Sequence, residues 1–323
     1  MSLSSFLKLI YNEQIKLYIK KSTWIMYIIL AALIIGGAAI IAVYDEDLSK
    51  PTGDNWRGEL QTENDALLKE NEEVGEEEGF IITINNEIIA ENNYYLEHDI
   101  KPSSYGAFHY VHENQGLLSL ISLFTIIIAA GIVANEFRWG TIKLLLIRPI
   151  SRSKILLSKY ISVLIFAVVT SIFLYVFSFI VGAIFFGIEG ANPHILLQTE
   201  SGFEYVSIVG DLLFTYGYKL INLVMMATFA FMISTVFRNS ALAIGLAIFL
   251  MMAGTQIVFF FAERSWAKYI LFANTDLTQY KAGNTPMLEG MSLGFSVSVL
   301  IVYYAIFIVL SWFVFTKRDV AGH

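Results

Sequence analysis

Six uninterrupted apolar runs, at residues 24-44, 116-134, 160-188, 212-236, 241-262 and 292-316, limit what this 323-residue chain can fold into more than any other feature. Each matches the ~20 residues that carry a helix across a ~30 Å hydrocarbon layer, and each is bounded by charge or by Asn, Pro and Gly. No soluble core hides six such stretches. Apolar residues make up 56% of the chain and charged ones 15%, against roughly 45–50% and 25% in soluble domains. The expected fold class is therefore an all-α integral membrane protein with six transmembrane helices. The chain has no cysteine, which removes disulfide frameworks, thiolate chemistry and Cys-based metal sites. The first run has Gly36-Gly37-Ala38-Ala39 at mid-span and Asp45-Glu46-Asp47 directly after it, without a small-residue cleavage site. It reads as a retained anchor, not a signal peptide.

The distribution of charge gives the expected orientation. Residues 1-23, 135-159, 237-240 and 317-323 together carry 13 basic side chains and three acidic ones, Glu13, Glu136 and Asp319. Residues 45-115, 189-211 and 263-291 carry 25 acidic and seven basic ones. The Lys/Arg bias of the short connections places the first set in the cytoplasm, with both termini inside. Lys219 is the sole ionisable side chain within these span limits. Arg238 follows it by 19 residues, roughly 28 Å of helix, so Lys219 is expected near the outer interface, where a lysine can snorkel. An interfacial anchor is the preferred reading over a substrate contact or relay.

Outside the spans, Leu3, Phe6, Leu7, Ile10, Gln14 and Leu17 recur at helical spacing within residues 1-23, with Lys8, Asn12, Lys16 and Lys20 mostly on other faces. This predicts an amphipathic helix along the inner membrane surface, turning into the first span at Trp24. The 71-residue segment 45-115 holds 18 acidic and four basic residues and is too long for a turn. Residues 56-73 read as helix and 80-99 as a returning helix, with Phe80–Ile84 (FIITI) equally readable as a strand. The expected result is a helical extracellular insert between the first two spans. The run Glu76-Glu77-Glu78 is read as a solvated turn, since no ligands alternate around a glycine as a calcium loop requires. In 263-291, Trp266, Tyr269 and Phe272 surround Lys268, the pattern of a short interfacial segment.

No catalytic signature is present: the chain lacks a P-loop, H-E-x-x-H and G-x-S-x-G, and the near match Gly294-Phe295-Ser296-Val297-Ser298 misses its second glycine. His109 and His112, three apart beside Glu113, form a conceivable zinc pair, but polar interfacial residues are the preferred reading. The spans hold no Asp, Glu or His for an ion relay, which argues against ion-coupled transport and proton pumps. The chain is expected to be no enzyme, to bind no cofactor or metal itself, and to have no nucleic-acid partner.

The connection 135-159 reads NEFRWGTIKLLLIRPISRSKILLSK. Gly140 permits a sharp redirection, Thr141–Ile147 reads as a short helix apolar nearly all round, Pro149 stops it, and Ser151 can cap the third span. Arg138, Lys143, Arg148 and Arg152 flank that helix, whose apolar surface calls for lipid or a protein partner. The run Glu136-x-x-x-Gly140-Thr141, followed by Leu144-Leu145-Leu146, Pro149-Ile150-Ser151-Arg152 and Lys154-Ile155-Leu156-Leu157, resembles the membrane subunits of ATP-binding-cassette exporters of the ABC-2 type. The plan of an N-terminal amphipathic helix, six spans and a cytoplasmic helix between spans two and three resembles them as well.

That resemblance implies a permease in a bacterial plasma membrane, Gram-positive type, working with a cytoplasmic ABC ATPase dimer that binds ATP and Mg. A second permease chain, the same or a sister, would complete the path. Glu136, Arg138, Gly140, Thr141, Lys143, Leu145, Arg148, Pro149 and Arg152 would couple the ATPase to the bundle. The aromatic and small polar span residues suit a hydrophobic or amphipathic substrate, such as an antimicrobial peptide, a lipid or a drug. Two alternatives remain open at this point: sodium efflux by the same machinery, and a non-transporting sensor or scaffold built on the acidic ectodomain.

Overall fold

The computed structural model describes residues 3–44, 53–74, 79–142, 150–190, 193–199, 202–281 and 283–317. These residues are mostly helical. In chain order they form α1 (Leu3–Tyr18), α2 (Lys21–Tyr44), α3 (Trp56–Val74), α4 (Gly79–Glu97), α5 (Ala107–Glu113), α6 (Leu118–Arg138) and α7 (Arg152–Phe186). The hairpin strands β1 (His194–Thr199) and β2 (Gly202–Ser207) follow, then α8 (Ile208–Phe237), α9 (Ser240–Phe260), α10 (Leu271–Asn274) and α11 (Leu293–Lys317). Six stretches are long and apolar enough to cross a membrane: Lys21–Val43, Ala107–Arg138, Arg152–Phe186, Ile208–Phe237, Ser240–Phe260 and Leu293–Lys317.

Several helices outrun the hydropathic boundaries, because hydropathy marks lipid depth and not the end of the backbone ladder. Residue 160 opens the third apolar run, yet α7 begins at Arg152. The carbonyl of Ser151 accepts from the amides of Lys154 and Ile155, at 3.0 and 3.2 Å, and starts the helix there. Likewise α6 runs on from residue 134 to Arg138.

The chain divides into two compact units. The first comprises residues 1–32, 115–176 and 214–323. Its core joins Leu17 and Met26 to Phe124, Ile128, Val163, Phe166, Phe231 and Phe315. Hydrogen bonds between spans supplement this packing, since lipid supplies no hydrophobic drive between helices. Ser234 Oγ donates to the carbonyl of Ala130 (2.6 Å) and accepts from the amide of Ala134 (3.2 Å). The hydroxyl of Tyr160 lies 2.7 Å from Thr228 Oγ1 and 3.2 Å from that of Tyr304. Gly254 of α9 receives the Phe272 ring of α10, and a Cβ there would lie 2.3 Å from the ring. Within the segment predicted as interfacial, α10 and two short 3-10 turns, Ala267–Tyr269 and Leu277–Tyr280, replace a single helix. Asn274 fixes them by donating to the carbonyls of Lys268 (2.8 Å) and Ile270 (2.9 Å).

The second unit comprises residues 33–114 and 177–213. Here the two insert helices α3 and α4 pack together through Trp56, Leu60 and Tyr95, and residues 80–84 are helical, not a strand. Asparagines seven apart hold the pair in register: Asn64 and Asn71 on α3 face Asn85, Asn86, Asn92 and Asn93 on α4. Asn92 Nδ2 donates to Asn64 Oδ1 (2.9 Å) and Glu63 Oε2 (3.0 Å), and Asn64 Nδ2 donates to Asn93 Oδ1 (2.9 Å). One turn pair further on, Asn85 Nδ2 donates to Asn71 Oδ1 (2.9 Å). Such a ladder fixes register in the way a buried heptad asparagine does in a coiled coil.

An exception to the all-α expectation lies in 189-211, read from sequence as a loop. There β1 pairs antiparallel with β2, from His194 opposite Ser207 to Thr199 opposite Gly202. Leu196 and Tyr205, a cross-strand pair, pack against the Trp56 cluster and bury one face of the ribbon. The acidic runs at 45–47 and 76–78, the helix expected over Thr141–Ile147 beyond residue 142, and the tail 318–323 lie outside the described residues.

Asn92 is fully buried, so Asn92→Ala should strand its partners and cost about 1–3 kcal/mol. The paired change Asn64→Leu/Asn92→Leu removes donor and acceptor together and should cost less than the sum of its single changes. Amide hydrogen exchange across α3 and α4 of the full-length chain reads both effects.

Candidate functional site

A lysine that is 1% exposed is the most demanding group in the first unit. Lys159 lies in the second turn of α7, and burying its ammonium unpaired would be prohibitive. Two carboxylates meet it: Glu13 Oε2 from α1 at 2.8 Å and Glu136 Oε1 from the last turn of α6 at 2.9 Å. Lys16, one turn beyond Glu13, closes the cluster by reaching Glu13 Oε1 at 2.9 Å and Glu136 Oε1 at 3.2 Å. The four charges sum to zero. Thr141 Oγ1 donates to Glu136 Oε2, fixing the second carboxylate oxygen.

The surroundings hold α1 in place. Gln14 Nε2 donates to the carbonyl of Ser162 on α7 (2.9 Å). Thr23 Oγ1 donates to the carbonyl of Leu17 (2.6 Å) and Trp24 Nε1 to that of Tyr18 (2.8 Å), which closes the corner between α1 and α2. Burial works against the charge of Lys16, but the hydrogen bond and charge of Glu13, with Glu136 behind, outweigh it and raise its pKa above the ordinary 10.5. Lys20 shifts the other way: burial and then the Lys159 charge lower its pKa. A cavity of about 420 Å³ opens beside the cluster, lined by Glu13, Lys16, Lys20, Glu136, Trp139 and Thr141 among others.

This arrangement corrects the expected seating of α1. Its buried face carries Glu13 and Leu17, whereas Leu7, assigned to the apolar stripe, is 55% exposed. A second stripe, Leu7, Tyr11, Ile15 and Ile19 at steps of four, faces outward. Gln14 and Leu17 of the predicted stripe do face the bundle, and Glu13, paired with Lys159, joins them there.

The coupling residues singled out from sequence are dispersed. Glu136 and Thr141 enter the cluster, and Gly140 makes the turn between them with φ +71°, a left-handed conformation that favours glycine. Arg138 and Trp139 are exposed. Arg152 instead donates from Nη1 to the carbonyl of Thr316 (3.3 Å), and Trp312 Nε1 reaches Ser153 Oγ (2.9 Å), so the start of α7 is pinned to the end of α11. Lys143, Leu145, Arg148 and Pro149 lie outside the described residues. Glu13, Lys16 and Lys159 escaped sequence reasoning as site residues. The available signal was that Glu13 and Glu136 are lone carboxylates on a strongly basic side.

In the second unit each histidine of the conceivable zinc pair turns to its own carboxylate. His109 Nδ1 lies 3.4 Å from Glu189 Oε2, and His112 Nε2 lies 3.2 Å from Asp211 Oδ2. Among the described residues no group of three or more His, Cys, Asp or Glu gathers as a metal site.

Six long apolar helices, cross-linked by hydrogen bonds and closed at one end by a neutral charge cluster, define a multi-pass membrane protein. Residues 79–321 match the family described as "Protein of unknown function (DUF2705)", and the chain belongs to that family. It is 44% identical to the uncharacterized protein YhcI of Bacillus subtilis (strain 168) over 322 residues, covering 98% of this chain and 100% of that protein. It is 35% identical to the uncharacterized membrane protein YdbK of the same strain over 213 residues, 65% of this chain and 82% of that protein.

Lys159→Met leaves two carboxylates without their buried counter-ion and should cost roughly 3–5 kcal/mol, read as a lowered unfolding midpoint in detergent. A Glu13→Gln/Lys159→Met double change should lose less than the sum of its single changes. Because the pKa of Lys16 is raised, its stabilising contribution is complete below pH 10.5 and disappears only as pH rises through its higher folded value. Lys16→Met should therefore alter the stability of neutral samples and lose its effect in strong alkali.

Proposed function

We propose that this chain is the membrane-spanning permease of an ATP-driven exporter, of the ABC-2 type its sequence resembles, in the bacterial plasma membrane with both termini cytoplasmic. The observation that carries this reading is the buried Glu13–Lys159–Glu136 cluster beside the Gly140 turn. It joins the N-terminal helix, the end of the second span and the start of the third at the mouth of the segment expected to meet a cytoplasmic partner.

An exporter without its own nucleotide site must receive work mechanically. A displacement applied to the 140–149 connection reaches Thr141 and Glu136 first, then Lys159 and Glu13, and so moves α1, α6 and α7 together. A charge cluster built around the buried Lys159 suits this role, since that lysine cannot part from its carboxylates without leaving an unpaired charge in a low-dielectric interior. ATP and Mg belong to the partner ATPase dimer, and a second permease chain completes the path. The spans carry aromatic and small polar residues, which favours a hydrophobic or amphipathic cargo such as an antimicrobial peptide, lipid or drug. The chain itself performs no catalysis in this scheme.

Purification of the tagged chain from its native cell in mild detergent should bring down a stoichiometric ATPase. Thr141→Val and Glu136→Gln should leave that complex assembled but reduce the coupling between substrate and ATP hydrolysis by roughly tenfold. Gly140→Trp, which cannot adopt the turn without strain, should act more strongly. A monodisperse chain with no ATPase partner, or variants that couple normally, would overturn the reading.

A further inference from the structure

Lys219 of α8 poses a separate problem. A lysine in a membrane-spanning helix ordinarily finds a carboxylate, but among the described residues its ammonium makes one hydrogen bond, at 3.5 Å to the carbonyl of Gln115, and no ion pair. A cavity of about 250 Å³ lies against it, in the first unit, lined by Ser119, Ser122, Asn222 and Asp276, with Leu118 and Met251 completing the wall. Asp276 thus faces the same space without coming within the 4.0 Å of an ion pair. Its position is set locally: Oδ1 accepts from the amide of Thr278 (3.0 Å) and from Thr278 Oγ1 (2.6 Å), capping the 3-10 turn Leu277–Tyr280.

One cavity therefore holds a loosely held cation and a locally anchored anion that do not neutralise each other. The same wall carries the amide of Asn222 and the hydroxyl of Ser119. An anion alone would gain Lys219 and be repelled by Asp276, and a cation alone would meet the reverse. A molecule carrying both charges satisfies both walls, and Leu118 and Met251 leave an apolar side for the rest of it. The volume admits a head group but falls below that of ordinary drug-sized pockets.

We propose that this cavity binds the zwitterionic end of an amphiphile, its anionic group on Lys219 and its ammonium on Asp276. Two sources supply that chemistry, the head group of phosphatidylethanolamine and the paired termini of a short apolar peptide. Neither depends on coupling to ATP, so the site is testable on the chain alone and survives a failure of the exporter reading.

The test uses the full-length chain in neutral detergent and native mass spectrometry. The probes are dihexanoyl phosphatidylethanolamine, dihexanoyl phosphatidylglycerol and the dipeptide leucyl-leucine. At least one zwitterion should bind about tenfold more tightly than phosphatidylglycerol, the scale of a charged hydrogen bond. Retention of phosphatidylethanolamine alone assigns the lipid source, and retention or displacement by leucyl-leucine assigns the peptide. Asp276→Asn keeps the cap, because asparagine also caps helical turns, and should abolish the preference over phosphatidylglycerol. Lys219→Gln should weaken all three probes. Equal binding of zwitterionic and anionic probes by the unaltered chain overturns the proposal, as does a preference that survives Asp276→Asn.

Discussion

A buried ammonium cannot be left without an anion, and that constraint at Lys159 organises the basic end of the molecule. Two carboxylates from separate helices meet that lysine, so one buried charge ties α1, α6 and α7 together. Lys16 then returns the cluster to neutrality. The packing of Leu17 against the aromatic core, the Gln14 bond to α7 and the tight corner at Thr23 all follow from α1 being held at this point. Hydrophobic burial alone would not select that seating, because apolar side chains gain little from choosing a neighbouring helix over lipid.

The first unit distributes its polar groups unevenly. At the basic end, charges are mutually satisfied around the buried Lys159, with Lys16 at the exposed rim. In the middle, hydroxyls bridge spans pairwise, as with Ser234 and the α6 backbone. Around Lys219 and Asp276 charges of opposite sign share a space and leave each other unmet. A compensated end and an uncompensated one suit different uses: in the proposed reading the first transmits force and the second receives a ligand.

The six apolar runs and the two insert helices were legible because span length and helical periodicity are local properties. The charge cluster was not, since its members lie 146 and 23 residues apart along the chain and each looks like an ordinary membrane-flanking charge. The asparagine ladder was written openly, at intervals of seven, yet polar residues do not register in a search for apolar stripes. The hairpin at 194–207 escaped for another reason: two six-residue strands gain their stability from Trp56, Leu60 and Tyr95, which are distant in sequence. Of the residues singled out from the local motif, Glu136 and Thr141 enter the cluster, whereas their partners on α1 and α7 are set only by tertiary packing.

The outward stripe of Leu7, Tyr11, Ile15 and Ile19 acquires a meaning when the order of synthesis is considered. Glu13 is made 123 residues before Glu136 and 146 before Lys159, an interval of roughly six to thirty seconds at ordinary elongation rates. Throughout that interval α1 has no bundle to join. An apolar face that remains outward in the finished protein lets the helix rest at the bilayer surface, its carboxylate still hydrated, until the second and third spans are inserted. The same stripe stays outward after docking, so nothing already buried has to rotate. Among these three helices, α1 is thus made first and held only when the third arrives.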